Sequence, residues 1–165
     1  MSGANEGFSL LAGGKVGEFN SWRMKNLTTR PDYSGLDLSG KELSGAYLNG
    51  VIANGTNFSR SIMKRTNLVQ ANLDGANFEG ADLTEALLMY SEMKSARLGQ
   101  AILKGTNLMW ANLQGADLSH SKLAKTIMVE ASLQNAKLDG LDRGNAYIKY
   151  ARLDGTVWFE KSESH

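Results

Sequence analysis

Residues 71–85 read ANLDGANFEGADLTE. Cut into fives, the stretch puts Ala71, Ala76 and Ala81 at one place, Leu73, Phe78 and Leu83 two residues on, and Gly75, Gly80 and Glu85 at the end of each unit. Carried outward, the register holds without an insertion from Tyr33 to Trp158, through 26 consecutive units. The central place is Leu38, Leu43, Leu48, Ala53, Phe58, Met63 and Leu68 before this stretch, and Leu88, Met93, Leu98, Leu103, Leu108 and Leu113 after it. It fails once, at Arg143, and resumes with Ile148, Leu153 and Trp158. Two residues before most centres stands Ala, Ser or Thr, and the fifth place is Gly in eleven units, from Gly35 to Gly155.

A period of five matches neither the 3.6-residue helix nor the two-residue alternation of a strand. It matches a chain that bends once per unit and turns one large and one small side chain inward, where they interdigitate. Glycine at the fifth place accommodates the positive φ that a tight turn demands. At Arg143 the unit is LDRGN, so the reading there is a local distortion in which Leu141 does the inward work and the guanidinium reaches out to solvent.

The units ANLDG, ANFEG, ADLTE, ANLQG and ADLSH resemble those of the pentapeptide-repeat proteins of bacteria and cyanobacteria, over about three quarters of the chain in one register. The resemblance implies an all-β fold, a right-handed quadrilateral parallel β-helix with four units per coil. About six and a half such coils, stacked at about 4.8 Å, make a rod roughly 30 Å long. Residues twenty apart should then lie above one another, pairing Phe58 with Phe78 and Asn57 with Asn77 in a side-chain ladder.

The repeats divide the chain into residues 1–30, a mobile segment followed by a capping helix, residues 31–158, the solenoid, and residues 159–165, a polar tail. In KVGEFNSWRMKNL (15–27), Val16, Phe19 and Trp22, with Leu27, fall on one side of a short helix that stops before Pro31. That helix is expected to lie over the first coil, since an open solenoid end invites pairing with another copy. Similar openings precede the repeats of many bacterial members of the family. Residues 1–14 are expected to be mobile. At the other end Trp158 and Phe159 are bulky enough to close the last coil, and the seven residues after Trp158 are too few for a dimerising helix.

Little here suggests chemistry. His120 sits at an outward fifth place and His165 ends the chain. The pairs Asp82 with Glu85 and Asp139 with Asp142 have no third partner, so solvated surface charge is their reading. The glycines do not form the phosphate loop GxxxxGK[ST]. Enzymes built on parallel β-helices carry their sites on inserted loops, and this repeat has none; the expectation is a non-catalytic protein without cofactor or metal. The basic residues Arg60, Lys64 and Arg65, the pair Lys94 and Arg97, and the pair Lys122 and Lys125 are balanced by acids. Residues 31–158 hold 13 Lys and Arg against 13 Asp and Glu. Bulk attraction to nucleic acid or anionic lipid is therefore absent. No apolar run approaches the roughly 20 residues that span a bilayer. With no cysteine and no signal-like N-terminus, the expected address is the cytoplasm.

The outward residues carry a different signal. After the centres, the large aliphatic residues are Val69, Met89, Met109 and Val129, each twenty from the next. At the following place the aromatic residues are Tyr90, Trp110 and Tyr150, and just before the centres stand Tyr47, Leu87, Ile127 and Tyr147. Within each place the residues are multiples of twenty apart, and all fall on one face, while the other three faces carry mostly polar residues, Ile62 and Ile102 excepted. One continuous apolar face is the expectation, and with it a protein-binding module or scaffold, the partner being another protein or a second copy in a homodimer. The resemblance implies one alternative, modulation of DNA gyrase by mimicry of duplex DNA. The family members that act so present an acidic rod, often with protruding loops and a dimerising terminus, none of which this neutral sequence offers.

Overall fold

The structure, a computed structural model, describes residues 3–141 and 144–156. The readings at Asp142, Arg143, Trp158, Phe159, the polar tail and His165 lie outside these residues.

Among the described residues each repeat contributes a single paired residue rather than a longer strand, paired in parallel with a residue twenty away. The ladder runs from Asp32 with Ile52 to Ser132 with Arg152. Four units therefore complete one turn. The hydrogen bonds follow the same step: the Leu88 N–H donates to the Asn107 carbonyl at 2.8 Å, and the Asn107 N–H to the Ala86 carbonyl at 2.9 Å. Parallel pairing without crossover helices is available only because the chain closes a turn and returns one level higher.

The residues at the centres are what hold this together. Tyr33, Leu38, Leu43, Leu48 and their successors through Leu138 are buried, with Ala71, Ala76, Ala81 and the other small residues between them. Each buried Leu or Phe contributes about 1.5–3 kcal/mol, repeated at every corner of every turn. Phe58 and Phe78 stack with centroids 5.0 Å apart and planes within 9°. Where the small place is Thr, its hydroxyl is buried but satisfied: Thr56, Thr66, Thr106 and Thr126 donate to the carbonyls of Tyr33, Leu43, Leu83 and Leu103. The Asn77 amide donates to Asn57 Oδ1 at 3.2 Å, as the twenty-residue register requires.

The N-terminus differs from its sequence reading. Instead of a mobile segment and one helix there are two helices, α1 (Gly3–Ala12) and α2 (Val16–Lys25). The physical reason is a short apolar run, Phe8–Ala12, which has its own burial site: Leu11 is fully buried, and Phe8 lies 6.1 Å from the Tyr33 ring. Phe19 is buried, and Val16 and Trp22 pack half-buried against the core. Leu27 lies beyond the end of α2 and is 66% exposed, so it does not share their side.

Helix α2 also answers the first coil's unpaired backbone. Within the wall, the N–H and carbonyl of each paired residue bond to neighbouring levels; Tyr47 has no level below it. Its N–H donates to Asn20 Oδ1 at 2.8 Å, while Asn20 Nδ2 donates to the Gly45 carbonyl at 2.9 Å. A side-chain amide carries the same donor and acceptor as a peptide group. Arg23 supplies the rest. Buried to 3% exposure, it donates to the carbonyls of Tyr47, Asn49, Asn26 and Thr29.

Candidate functional site

Along one long side, the paired residues are Tyr47, Asn67, Leu87, Asn107, Ile127 and Tyr147, each bridged to the next. This ladder sets the neighbouring columns level by level: Val69, Met89, Met109 and Val129 after the centres, then Tyr90, Trp110 and Tyr150 at the fifth places. The structure thus brings all ten residues of the sequence-derived face onto one wall, together with Tyr47.

The wall is open. Tyr90 is 51% exposed, Trp110 41% and Tyr150 70%, and Tyr47, Leu87 and Tyr147 are exposed as well. Val69, Met89, Met109, Ile127 and Val129 are half-buried beneath them. The rings of Tyr90 and Trp110 stack across adjacent levels, 4.7 Å between centroids and 12° between planes. Lys149 reaches over the Tyr150 ring at 4.8 Å. The N-terminal helices lie on the end of the first coil through Asn20 and Arg23 and leave this wall exposed.

The backbone under the aromatic residues is what sequence reasoning passed over. The fifth place adopts a left-handed conformation at every described unit except that of Asn145, including at 13 residues that are not glycine. Tyr90, Trp110 and Tyr150 sit at φ 58°, 57° and 61°. For a residue with a Cβ this region costs about 1–2 kcal/mol relative to the right-handed one, and bulky side chains seldom occupy it. The adjacent wall relieves that cost with Gly35, Gly55, Gly75, Gly115 and Gly155, Ser95 and Asn135 being its exceptions. On the apolar wall only Gly50 does so; Gln70, Tyr90, Trp110, Glu130 and Tyr150 follow. The sequence signal was the missing glycine at these five places.

Several of the other charged candidates form ion pairs. Arg65 meets Glu85 at 2.7 Å and Lys64 meets Asp82 at 3.3 Å, so the basic cluster and the acidic pair lie one level apart and cancel. Burial alone would raise the Asp82 carboxyl, but the hydroxyl and N–H of Thr84 and the Lys64 ammonium outweigh it and hold it below the usual carboxylate range. Arg97 pairs with Glu79 at 2.6 Å. Lys94 lies 3.9 Å from Glu92 and Lys137 3.9 Å from Asp117. His120 is exposed. Among the described residues no cluster of His, Asp or Glu could hold a metal ion, and no helix is long and apolar enough to cross a membrane.

Comparison with known proteins places the fold. The sequence matches the family Pentapeptide repeats in eight copies, over residues 34–65, 42–80, 54–88, 66–105, 91–128 and 106–140. No curated protein matches the chain. Among solved structures it is similar to Rfr23, a pentapeptide repeat protein from the cyanobacterium Cyanothece 51142. That likeness has a TM-score of 0.59 at 23% identity, covering 85% of this chain and 97% of that one. It is also similar to HetL from the cyanobacterium Nostoc sp., a pentapeptide repeat protein involved in heterocyst differentiation regulation (TM-score 0.49, 24% identity, 76% and 71% covered). A third, QnrB1, is a plasmid-mediated fluoroquinolone resistance protein (0.45, 17%, 75% and 75%). At these identities the likeness to Rfr23 concerns the fold alone, and the other two carry no argument. With the matched repeats running unbroken from residue 34 to 140 and the wall pairing at every twentieth residue, this chain belongs to the pentapeptide-repeat family, whose members fold as right-handed β-helices.

Proposed function

We propose that this protein is a non-catalytic interaction module of the cytoplasm that binds a protein partner through the wall of Leu87, Met89, Tyr90, Met109 and Trp110. The observation that carries the reading is the left-handed backbone under Tyr90 and Trp110. Two large aromatic side chains stand, exposed and stacked, where glycine would relax the chain. An outlier of this kind motivates a hypothesis of function, and what sets these two positions apart from the other left-handed ones is the exposed, stacked aromatic pair they carry. Stacking returns about 0.5–1.5 kcal/mol, which at best offsets the cost at one of the two positions. Aromatic and Met residues are also the usual anchors of interfaces. We further assign to α2, through Phe19, Asn20 and Arg23, the closing of the solenoid's first end, so that binding runs through the side of the rod.

Trp110→Glu tests this. The substituted residue points outward, so the melting temperature should stay near that of the wild type. Partner capture or self-association should weaken by about 2 kcal/mol or more, the scale of an interface hot spot. If the variant unfolds, the residue belongs to the core and the assignment of the wall is wrong. If it folds and no binding changes, the wall does not bind.

A further inference from the structure

The apolar wall reads nearly the same from either end. After the centres the order is Val69, Met89, Met109, Val129, a palindrome. At the fifth places it is Gln70, Tyr90, Trp110, Glu130: polar, aromatic, aromatic, polar. The column before the centres begins at Tyr47 and ends at Tyr147. All three columns have their midpoint between the levels of Leu87 and Asn107.

We infer that the partner of this wall is a second copy of the chain, packed face to face with the two rods antiparallel. The inference rests on the proposed binding role of the wall and names its occupant. A two-fold axis in the plane of the wall, perpendicular to the rod and passing between those two levels, lays each residue against its counterpart. Val69 meets the partner's Val129, Met89 the partner's Met109, and Tyr90 the partner's Trp110. Tyr47 meets the partner's Tyr147, and the open position at Gly50 receives the partner's Tyr150.

Charge follows the same symmetry. Glu130 falls opposite the partner's Gln70 and Lys149 opposite the partner's Asn49, so no like charges oppose. A parallel pairing, with the axis along the rod, would set Lys149 against itself and Glu130 against Ile127. The weakest match is in the first column, where Asn67 and Asn107 oppose Ile127 and Leu87. There the Asn oxygens already accept the N–H of Val69 and of Met109, at 3.1 and 3.0 Å, so the cost of burying these side chains falls mainly on their Nδ2 donors. The ion pairs found among the described repeats all lie on the other three walls.

Size sets the strength. Six levels at about 4.8 Å by three residues at about 3.3 Å give a wall of about 300 Å² in projection. A standard interface buries about 800 Å² on each side. The dimer is therefore concentration-dependent rather than obligate.

The chain has no cysteine, so thiols can be placed at will. Val69→Cys and Val129→Cys are made separately in the full chain and treated with a short bifunctional maleimide spanning about 10 Å, the separation of packed sheets. In the antiparallel dimer residue 69 faces residue 129 at that distance, whereas like residues are about 17 Å apart, three levels along and one sheet across. The mixture should yield a cross-linked dimer while each variant alone yields little, and adding Trp110→Glu should abolish it. Gln70→Cys with Glu130→Cys, at exposed positions, repeats the test should the valine variants melt early. Equal cross-linking of each variant with itself would overturn the antiparallel register. Monomeric sedimentation at high micromolar protein with no cross-link would exclude the second copy as occupant. The binding role of the wall would then be judged apart, by whether Trp110→Glu still loses a different protein captured by the wild type.

Discussion

The wall of Leu87 and Trp110 and the wall opposite it, ten residues away along the repeat, share everything but their outer chemistry. Both have buried large residues at the centres, Leu68, Leu88 and Leu108 on one and Phe58, Phe78 and Leu98 on the other, with the same parallel pairing at twenty residues and the same left-handed fifth place. On the opposite wall Asn57, Asn77 and Asp117 accept the N–H two residues ahead of them, Arg97 and Lys137 answer Glu79 and Asp117, and glycine stands at Gly40, Gly80 and Gly140. Those side chains shield the backbone or satisfy a neighbour, while Arg60, Gln100 and His120 hold the left-handed fifth place as the aromatic residues do. On the apolar wall the Asn67 and Asn107 turns remain, but Tyr90, Trp110, Met89 and Met109 satisfy nothing within the wall beyond the one stacked pair. Folding thus draws on the inward positions of both walls alike, and what is written outside is available for other purposes.

The harshest way to break the equality of the two walls' cores is to delete Gly115. Every later centre then rotates off the core, and cooperative unfolding should disappear in a thermal melt. Leu113→Met, which nearly preserves volume, should cost less than about 1.5 kcal/mol. Next comes the end both walls share. Arg23→Met keeps the apolar stem but strips the Tyr47 and Asn49 carbonyls of their donors, a loss of about 3 kcal/mol. For a chain of this length that corresponds to about 10 °C in melting temperature, and retention of the wild-type melt would show that α2 does not close the end.

The same two walls should part company under a single outward change. Trp110→Glu is expected to alter binding with little effect on folding, while Arg97→Ala on the opposite wall should change stability by no more than about 1 kcal/mol and binding not at all. The smallest effect is that of acid. Hydrogen bonds from Ser39 hold Asp37 below the usual range, and Asp117 lies there too, because Ser119, Lys137 and Arg97 outweigh its burial. A depressed folded pKa gives stability that is present above the unfolded value and lost as pH falls through the folded one. The melting temperature should therefore drop only below about pH 4. Asp117→Asn, which keeps an acceptor for Ser119, should flatten that drop, whereas Trp110 variants should leave its shape unchanged.

The sequence by itself determined the register, the inward residues and the wall on which Val69, Met89, Met109 and Trp110 meet. Each follows from a strict period, because a repeat without insertions carries every residue to the same corner of every turn. The stacks of Phe58 on Phe78 and Tyr90 on Trp110 are likewise consequences of a twenty-residue step. Outside the repeat no period operates: nothing in the spacing of residues 3–12 announces α1, and Leu27 continues the spacing of Val16, Phe19 and Trp22 yet lies beyond the end of α2. The opening Phe19-Asn20-Ser21-Trp22-Arg23 resembles those of other family members, but nothing in it gives Asn20 and Arg23 the role of stand-ins for a missing turn of backbone. That role exists only once the chain has closed its first coil and left the N–H of Tyr47 and the carbonyls of Tyr47 and Asn49 without a level beneath them. Periodic order decided which side chains go inward; the open end of that order, which only the tertiary structure exposes, decided what the helix before it must supply.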